Sequence, residues 1–275
     1  MDKLERLALL FSLAPVMKGF IAMSISGAVF PLCGVMVLRL NLVPMRYMLM
    51  HGVILGGAIA MALDVPLLPV TITVNLILVF MMLMMTNDGT GRNFGGTSAA
   101  TMILSMALAS LIMHVADVPA KDTLDLLWGS PFALSLLDII SLSILALVLL
   151  LYVTLNFRNI KNLFFSKEIS MSLGIRVRLH NTIMVILIAA VVAVAMKLLG
   201  AFLIDSLLIL PVMCAAPFLK KTNHNGIRSL FIGSSITGFI LSVTGYVIAV
   251  AADFPPAGTI AVLAGILFFI GRIIK

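Results

Sequence analysis

Apolar residues run along this chain in stretches too long and too uniform for half-buried strands, broken at short intervals by Gly, Pro, Asn and charged residues. The stretches cover Gly19–Leu40, Met45–Leu63, Pro66–Thr86, Gly95–Ala116, Phe132–Asn156, Asn181–Leu199, Ala201–Leu219, Ser229–Ala251 and Pro256–Ile274. Roughly 20 apolar residues in a helix cross the hydrocarbon core of a bilayer. The pattern therefore predicts an all-α, polytopic membrane protein of about eight or nine transmembrane helices. The seventh stretch follows the sixth across Gly200 alone and holds Asp205 and Pro211. It is predicted to be bent, short or incompletely spanning.

Composition agrees. With 62% hydrophobic and 11% charged residues in 275, and a mean hydropathy of +1.22, too little polar surface exists to coat a water-soluble globule. The spans leave no room for a separate soluble domain, so residues 1–275 are expected to form a single transmembrane domain. Residues 1–18 are expected to be a short interfacial segment, since no small-residue cleavage pattern follows their apolar stretch. Cys33 and Cys214 lie inside apolar runs without a CxxC partner, which points to packing rather than a disulfide or zinc site.

The formal charge of +7 comes from bases in short loops, a topology signal rather than a nucleic-acid footprint. If nine spans alternate, Arg39, Arg46, Arg92, Arg158, Lys161, Lys167, Arg176, Arg178, Lys220, Lys221, Arg228, Arg272 and Lys275 fall on one side, the cytoplasmic one. Asp64, Asp117, Asp122, Asp125 and Asp253 fall on the other, with Lys121 and Lys197. The C-terminus is thus expected in the cytoplasm and the N-terminus outside or on the outer surface, although Lys3, Arg6 and Lys18 argue mildly against the latter. His180 and His224, in basic loops, are expected to face water.

The longest basic loop, residues 157–180, contains a stretch in which Ser166 can cap a short helix, Glu168 sits in its first turn and Gly174 can end it. Such a helix suits the docking of a separate ATPase; an ordinary solvated loop that only enforces topology is the other reading.

Five stretches in order carry a resemblance. Phe165, Glu168 and Gly174 match a segment in which a Phe and an acid precede a small-x-x-x-Gly turn, with Ser166 where an Asp is usual. Leu199-Gly200-Ala201-Phe202-Leu203-Ile204-Asp205-Ser206-Leu207-Leu208-Ile209-Leu210-Pro211 resembles Val-Gly-x-Leu-Leu-x-x-Ala-Leu-Leu-x-x-Pro. Asp253-Phe254-Pro255-Pro256-Ala257-Gly258-Thr259-Ile260 resembles Asp-Leu-Pro-x-Gly-Pro-x-Ile-Val. Leu127-Trp128-Gly129-Ser130 with Ser135 and Asp138, and Val37-Leu38-Arg39 with His51-Gly52, complete the set. Together, from about Gly19 to the end, they resemble the zinc/manganese/iron-type ABC importer permeases. The resemblance implies a type II-like importer permease in a bacterial cell (inner) membrane, moving a divalent metal ion by alternating access. It implies a homodimer of permease subunits, a cytoplasmic ABC ATPase dimer and an extracytoplasmic solute-binding protein. No Gly-x-x-x-x-Gly-Lys-Ser/Thr occurs, so ATP is expected on the partner subunit, with no cofactor on this chain and no chemistry catalysed by it. Lys167, Glu168 and Gly174 become the candidates for ATPase coupling.

Ionisable groups at membrane depth need a partner or a wet pathway. The resemblance places His51 on the translocation route, in the family's Asp-x-x-Ser-His pattern, whose acid and imidazole share a helix face. Here Tyr47 stands for the acid and Met50 for the Ser. Asp205 occupies a usually apolar position; it either compensates for the acid missing at Tyr47, sharing a metal with His51, or bonds a neighbouring helix or caps a broken one. His114, near Asp117, is either an outer metal ligand or a plain interfacial residue. Met81, Met82, Met84 and Met85 point around a helix and cannot converge on one ion. Ser135 and Asp138 have the spacing of a capping box, and Asp253 either fixes a turn or receives the binding protein. The missing acid leaves a metal chelate or other small solute as the alternative cargo. An ion-coupled secondary transporter should carry more paired intramembrane charges.

Overall fold

The computed structural model describes residues 3–85, 94–118, 129–221 and 226–273. Its helices are α1 (Lys3–Ser12), α2 (Ala14–Arg39), α3 (Val43–Ala62), α4 (Leu67–Met85), α5 (Phe94–Val115), α6 (Leu136–Leu155), α7 (Phe157–Phe165), α8 (Lys167–Ser172), α9 (Val177–Leu199), α10 (Ala201–Leu208), α11 (Leu210–Lys221), α12 (Ile227–Ala252) and α13 (Pro256–Ile273). Among the described residues, nine helical segments are long and apolar enough to cross a membrane, and each predicted stretch overlies one. Leu137, Ile144 and Leu151 are exposed along α6, an apolar surface of the kind a spanning segment carries. Arg92, Lys121, Asp122, Asp125, Leu127, Trp128, His224 and Lys275 lie outside the described residues, as does the side chain of Lys197.

Several expected boundaries move. The first span begins at Ala14, so residues 14–18 continue α2, while α1 is a separate helix ending at Ser12. Phe132 belongs to a 3-10 turn (Pro131–Ala133), and α6 starts only at Leu136. There the Ser135 hydroxyl donates to the Asp138 carboxylate at 2.7 Å and accepts the Asp138 N–H at 3.2 Å, while the carboxylate accepts the Ser135 N–H at 3.0 Å. That is the capping box its spacing predicts.

Helix ends repeat one device. Asn41, Asp64, Asp117, Gly174 and Asp253 all have φ between 52° and 74°. The residue after each returns its N–H to the last turn: Leu42 to Val37, Val65 to Ala60, Val118 to Met113, Ile175 to Ser170 and Phe254 to Ala249, at 2.8–3.0 Å. Asn and Asp tolerate this left-handed conformation best after Gly. Three acids expected to mark the outer loops are thus also helix terminators, and Asp253 fixes a turn.

The chain divides into two compact units, Met1–Val35 with Trp128–Leu150 and Leu198–Lys275, and Met36–Leu127 with Leu151–Lys197. In the first, α12 packs against α11 and α13. The Ser242 hydroxyl donates to the Met23 carbonyl at 2.6 Å, fastening α2 to α12. Tyr246, fully buried, donates to the Val16 carbonyl at 2.8 Å and meets the rings of Phe11, Phe20 and Phe132 at centroid distances of 6.4, 6.2 and 5.9 Å. This cluster ties α1 to the core.

The seventh span is bent, as Pro211 predicts. Proline has no N–H for the carbonyl of residue 207 and crowds it. Helicity lapses at Ile209, between α10 and α11, although Ile209 N–H still reaches the Asp205 carbonyl at 3.2 Å. At this bend the Leu208 carbonyl lies against the backbone of Gly34, where a Cβ would overlap it. Free, buried Cys214 donates to the Ala264 carbonyl at 3.6 Å and Cys33 is buried, so both pack as expected.

In the second unit α3 is the central helix, packed on α4 and α5. Met81 and Met84 are exposed on α4, whereas Met82 turns inward and accepts the Ser98 hydroxyl at 3.7 Å. Consecutive methionines thus diverge, as their spacing requires, and only part of the run lies on the surface of the chain; the Met85 side chain is outside the described residues.

Candidate functional site

α3 opens with Pro44 in its first turn, where a missing N–H disrupts no helical bond. Arg46 follows, and here the sequence reading needs correction. Its guanidinium is not in a loop: the residue lies in the first turn of α3 and is 1% exposed. Its guanidinium carbon sits 4.3 Å from the centroid of the Tyr47 ring, and Nη1 lies 3.9 Å from the Met50 sulfur. A cation on an aromatic face gains about 0.5–2 kcal/mol, more as water is removed. Such burial was not legible because Arg46 follows the Asn41 and Pro44 turn between two apolar runs, where a basic residue usually signals topology.

Tyr47 remains 44% exposed, and its backbone carbonyl accepts the Nδ1–H of His51 at 2.8 Å. A carbonyl can only accept, so the His51 proton is on Nδ1 and the Nε2 lone pair is left for a ligand. Gly52, next along, lies so close to Asn75 of α4 that a Cβ would strike Oδ1, and Thr71, one turn earlier on α4, fits against Gly56. This groove of small residues lets α4 seat directly on the α3 backbone. Asn75 is fully buried, and among the described residues neither its Oδ1 nor its Nδ2 makes a hydrogen bond.

The other candidates lie elsewhere. His114 is exposed in the last turn of α5. Asp205 is half-buried on α10, one turn before the bend, with Oδ1 buried. Tyr47, His51 and His114 belong to the second unit and Asp205 to the first. Among the described residues no group of three or more His, Cys, Asp or Glu side chains is gathered to hold a metal ion.

The 157–180 segment forms the helix its cap predicts. Ser166 accepts the Ile169 N–H at 3.2 Å and donates to the Glu168 carboxylate at 2.7 Å; α8 then ends at Gly174, φ 74°. Burial lowers the Lys167 ammonium below the usual lysine range, and Glu168 opposes that shift. Around α8, Phe165 (78% exposed), Ile169, Met171 and Leu173 present apolar side chains outside any spanning segment, flanked by exposed Arg158, Lys161, Arg176 and Arg178.

His180 is the second correction. It does not face water but lies in the first turn of α9, 9% exposed. Its ring meets the Tyr152 hydroxyl at 3.2 Å and the Asn159 amide at 3.2 Å.

Residues 13–275 match the family model described as the ABC 3 transport family. The chain belongs to that family. It is the membrane permease of an ABC transport system. Over 230 residues it is 25% identical to the high-affinity zinc uptake system membrane protein ZnuB of Haemophilus influenzae, covering 82% of this chain and 84% of the relative. It is 26% identical to the manganese import system permease protein ScaB of Streptococcus parasanguinis, covering 60% of this chain and 56% of that one. The solved structure of PsaBC from Streptococcus pneumoniae in complex with Fab superposes with a TM-score of 0.81 at 20% identity, over 97% of this chain and 94% of that one. The family member described here thus has the all-α permease fold that its sequence predicts.

Proposed function

We propose that this permease carries a divalent transition-metal ion inward across a bacterial cell membrane, driven by a separate ATPase dimer that docks on the α8 face. The observation that carries the docking is the capped helix itself. Phe165, Ile169, Met171 and Leu173 are exposed apolar residues on and beside it, flanked along the chain by exposed bases, which suits a partner surface with apolar and acidic character. The zinc and manganese systems of the two relatives support the choice of cargo. In this reading residues 1–275 form one permease domain whose α1 lies at the interface, paired with a second copy. A binding protein delivers cargo from outside, and the C-terminus and residues 157–180 are cytoplasmic. ATP binds to the partner chain. Alternating access follows when closure of the motor shifts α8 and the spans behind it.

His51 supplies the first imidazole through Nε2, with Asp205 as the carboxylate that replaces the one missing at Tyr47 and His114 as an outer ligand; Lys167, Glu168 and Gly174 form the coupling turn. Asp205→Ala, expressed normally in a strain dependent on the system, should lose most metal accumulation measured by elemental analysis. Unchanged accumulation removes Asp205 from the pathway. A second reading, in which the metal travels as a chelate, draws support from Arg46: a buried guanidinium stacked on Tyr47 repels a bare dication and favours an anionic complex. Competition between free metal and labelled chelate in proteoliposomes separates the two cargoes.

A further inference from the structure

The buried imidazole of His180 gathers side chains from three helices. Tyr152 comes from the last turn of α6, Asn159 from α7, and His180 itself opens α9. The Asn159 Nδ2 can only donate, so the His180 Nε2 that it meets at 3.2 Å is an acceptor and the ring proton sits on Nδ1. Nδ1–H then donates to the Tyr152 oxygen at 3.2 Å, leaving the phenol O–H for the His180 carbonyl at 3.3 Å. Both ring nitrogens of His180 and the Tyr152 hydroxyl are thus engaged, in a single consistent sense. Shielded hydrogen-bond networks of this kind rigidify the elements they join.

The place of the knot matters. α7 runs into α8 through Ser166 alone, whereas α8 reaches α9 through residues 173–176, a turn whose side chains are mostly exposed. A displacement of α8 passes to α9 through that turn only as well as a surface turn holds its shape. The second route runs from α8 back into α7, through Asn159 to His180, and so into α9, which continues to Leu199. Ile160 and Leu163 of α7 are buried, so the helix is seated rather than loose.

We propose that Tyr152, Asn159 and His180 are positioning residues for transport, forming the rigid linkage that converts movement of α7 and α8 into movement of α9. The proposal rests on the reading that the motor docks at α8.

The test uses the complete transporter, permease with its ATPase, reconstituted in liposomes, and reads three quantities: ATPase retained by the permease, ATP turnover, and cargo moved per ATP. In His180→Leu the motor should stay bound and ATP turnover stay within about twofold of the parent, while cargo per ATP falls about tenfold, the size of a typical coupling between sites. Tyr152→Phe removes one oxygen, is the variant most certain to fold, and should lower the same ratio about threefold. His180→Gln, whose amide can both accept and donate, should recover at least half of the loss. Cargo per ATP unchanged in both His180→Leu and Tyr152→Phe, with the motor bound, overturns the linkage alone. Failure of the parent permease to retain the motor overturns the docking reading and the linkage with it. A drop in ATP turnover matched by the drop in transport also overturns it, because a structural lesion lowers both together.

Discussion

Replacing Gly34 by Ala should destabilise the permease, while the same replacement at Gly265 should stabilise it. Both glycines lie inside helices, α2 and α13, where Ala is favoured by about 1 kcal/mol. Around Gly265 nothing lies within 4 Å of a new Cβ, so that gain should appear nearly in full. At Gly34 the Cβ would overlap the Leu208 carbonyl at the bend of the seventh span, and a backbone atom cannot rotate away as a side chain can. Overpacking of this kind costs about 1–3 kcal/mol, which matches or exceeds the helix term. The helix term is common to both, so the two variants should differ by the overpacking cost, about 1–3 kcal/mol, roughly 5- to 150-fold in the folded ratio. Equilibrium unfolding by SDS in mixed micelles, followed by circular dichroism, measures both against the parent. If Gly34→Ala proved as stable as Gly265→Ala, the close seating of α2 against the bend would be wrong.

Other consequences follow from the same contacts. Ser166→Ala removes the cap of α8 and should cost that helix about 1 kcal/mol, seen as roughly fivefold faster hydrogen exchange at the amide of Ile169. Tyr246→Phe loses the bond to the Val16 carbonyl and should lower stability by about 1 kcal/mol in a thermal melt, with the ring cluster intact. Asp253→Val forces a β-branched residue into φ 58° and should cost about 1–2 kcal/mol, whereas Asp253→Gly should be close to neutral; similar melting temperatures for the two would contradict a terminator role.

What the sequence made legible was whatever depends on long runs. Twenty apolar residues in a row have one comfortable solvent, so the spans stand out without knowledge of their neighbours. Single residues within a local pattern were legible too: the Ser135–Asp138 box, the Ser166 cap and the bend at Pro211 all follow from backbone chemistry over three or four positions. The misreadings share a cause. Arg46 and His180 both sit at helix starts, where a basic residue reads as loop charge, and nothing in the local pattern marks their burial. For His180 the partners are 28 and 21 positions away, at Tyr152 and Asn159. Asp64 and Asp117 looked like loop charge alone because the left-handed conformation they adopt leaves no trace in composition, whereas Asp253 was legible as a turn residue. A regular placement of Asp or Asn just past an apolar run, ahead of an apolar residue, is the signal that could have found them. The resemblance marked His51 and the tyrosine that replaces the missing acid, but not the guanidinium that roofs that tyrosine.

The account depends most on where α8 faces. Lys167→Cys places a thiol on that helix, and the natural thiols of Cys33 and Cys214 are buried, so background labelling should be low. A membrane-impermeant maleimide should leave this variant unlabelled in intact cells, label it after permeabilisation, and be blocked when the ATPase is bound. Labelling in intact cells would put α8 outside, where no ATPase can dock on it.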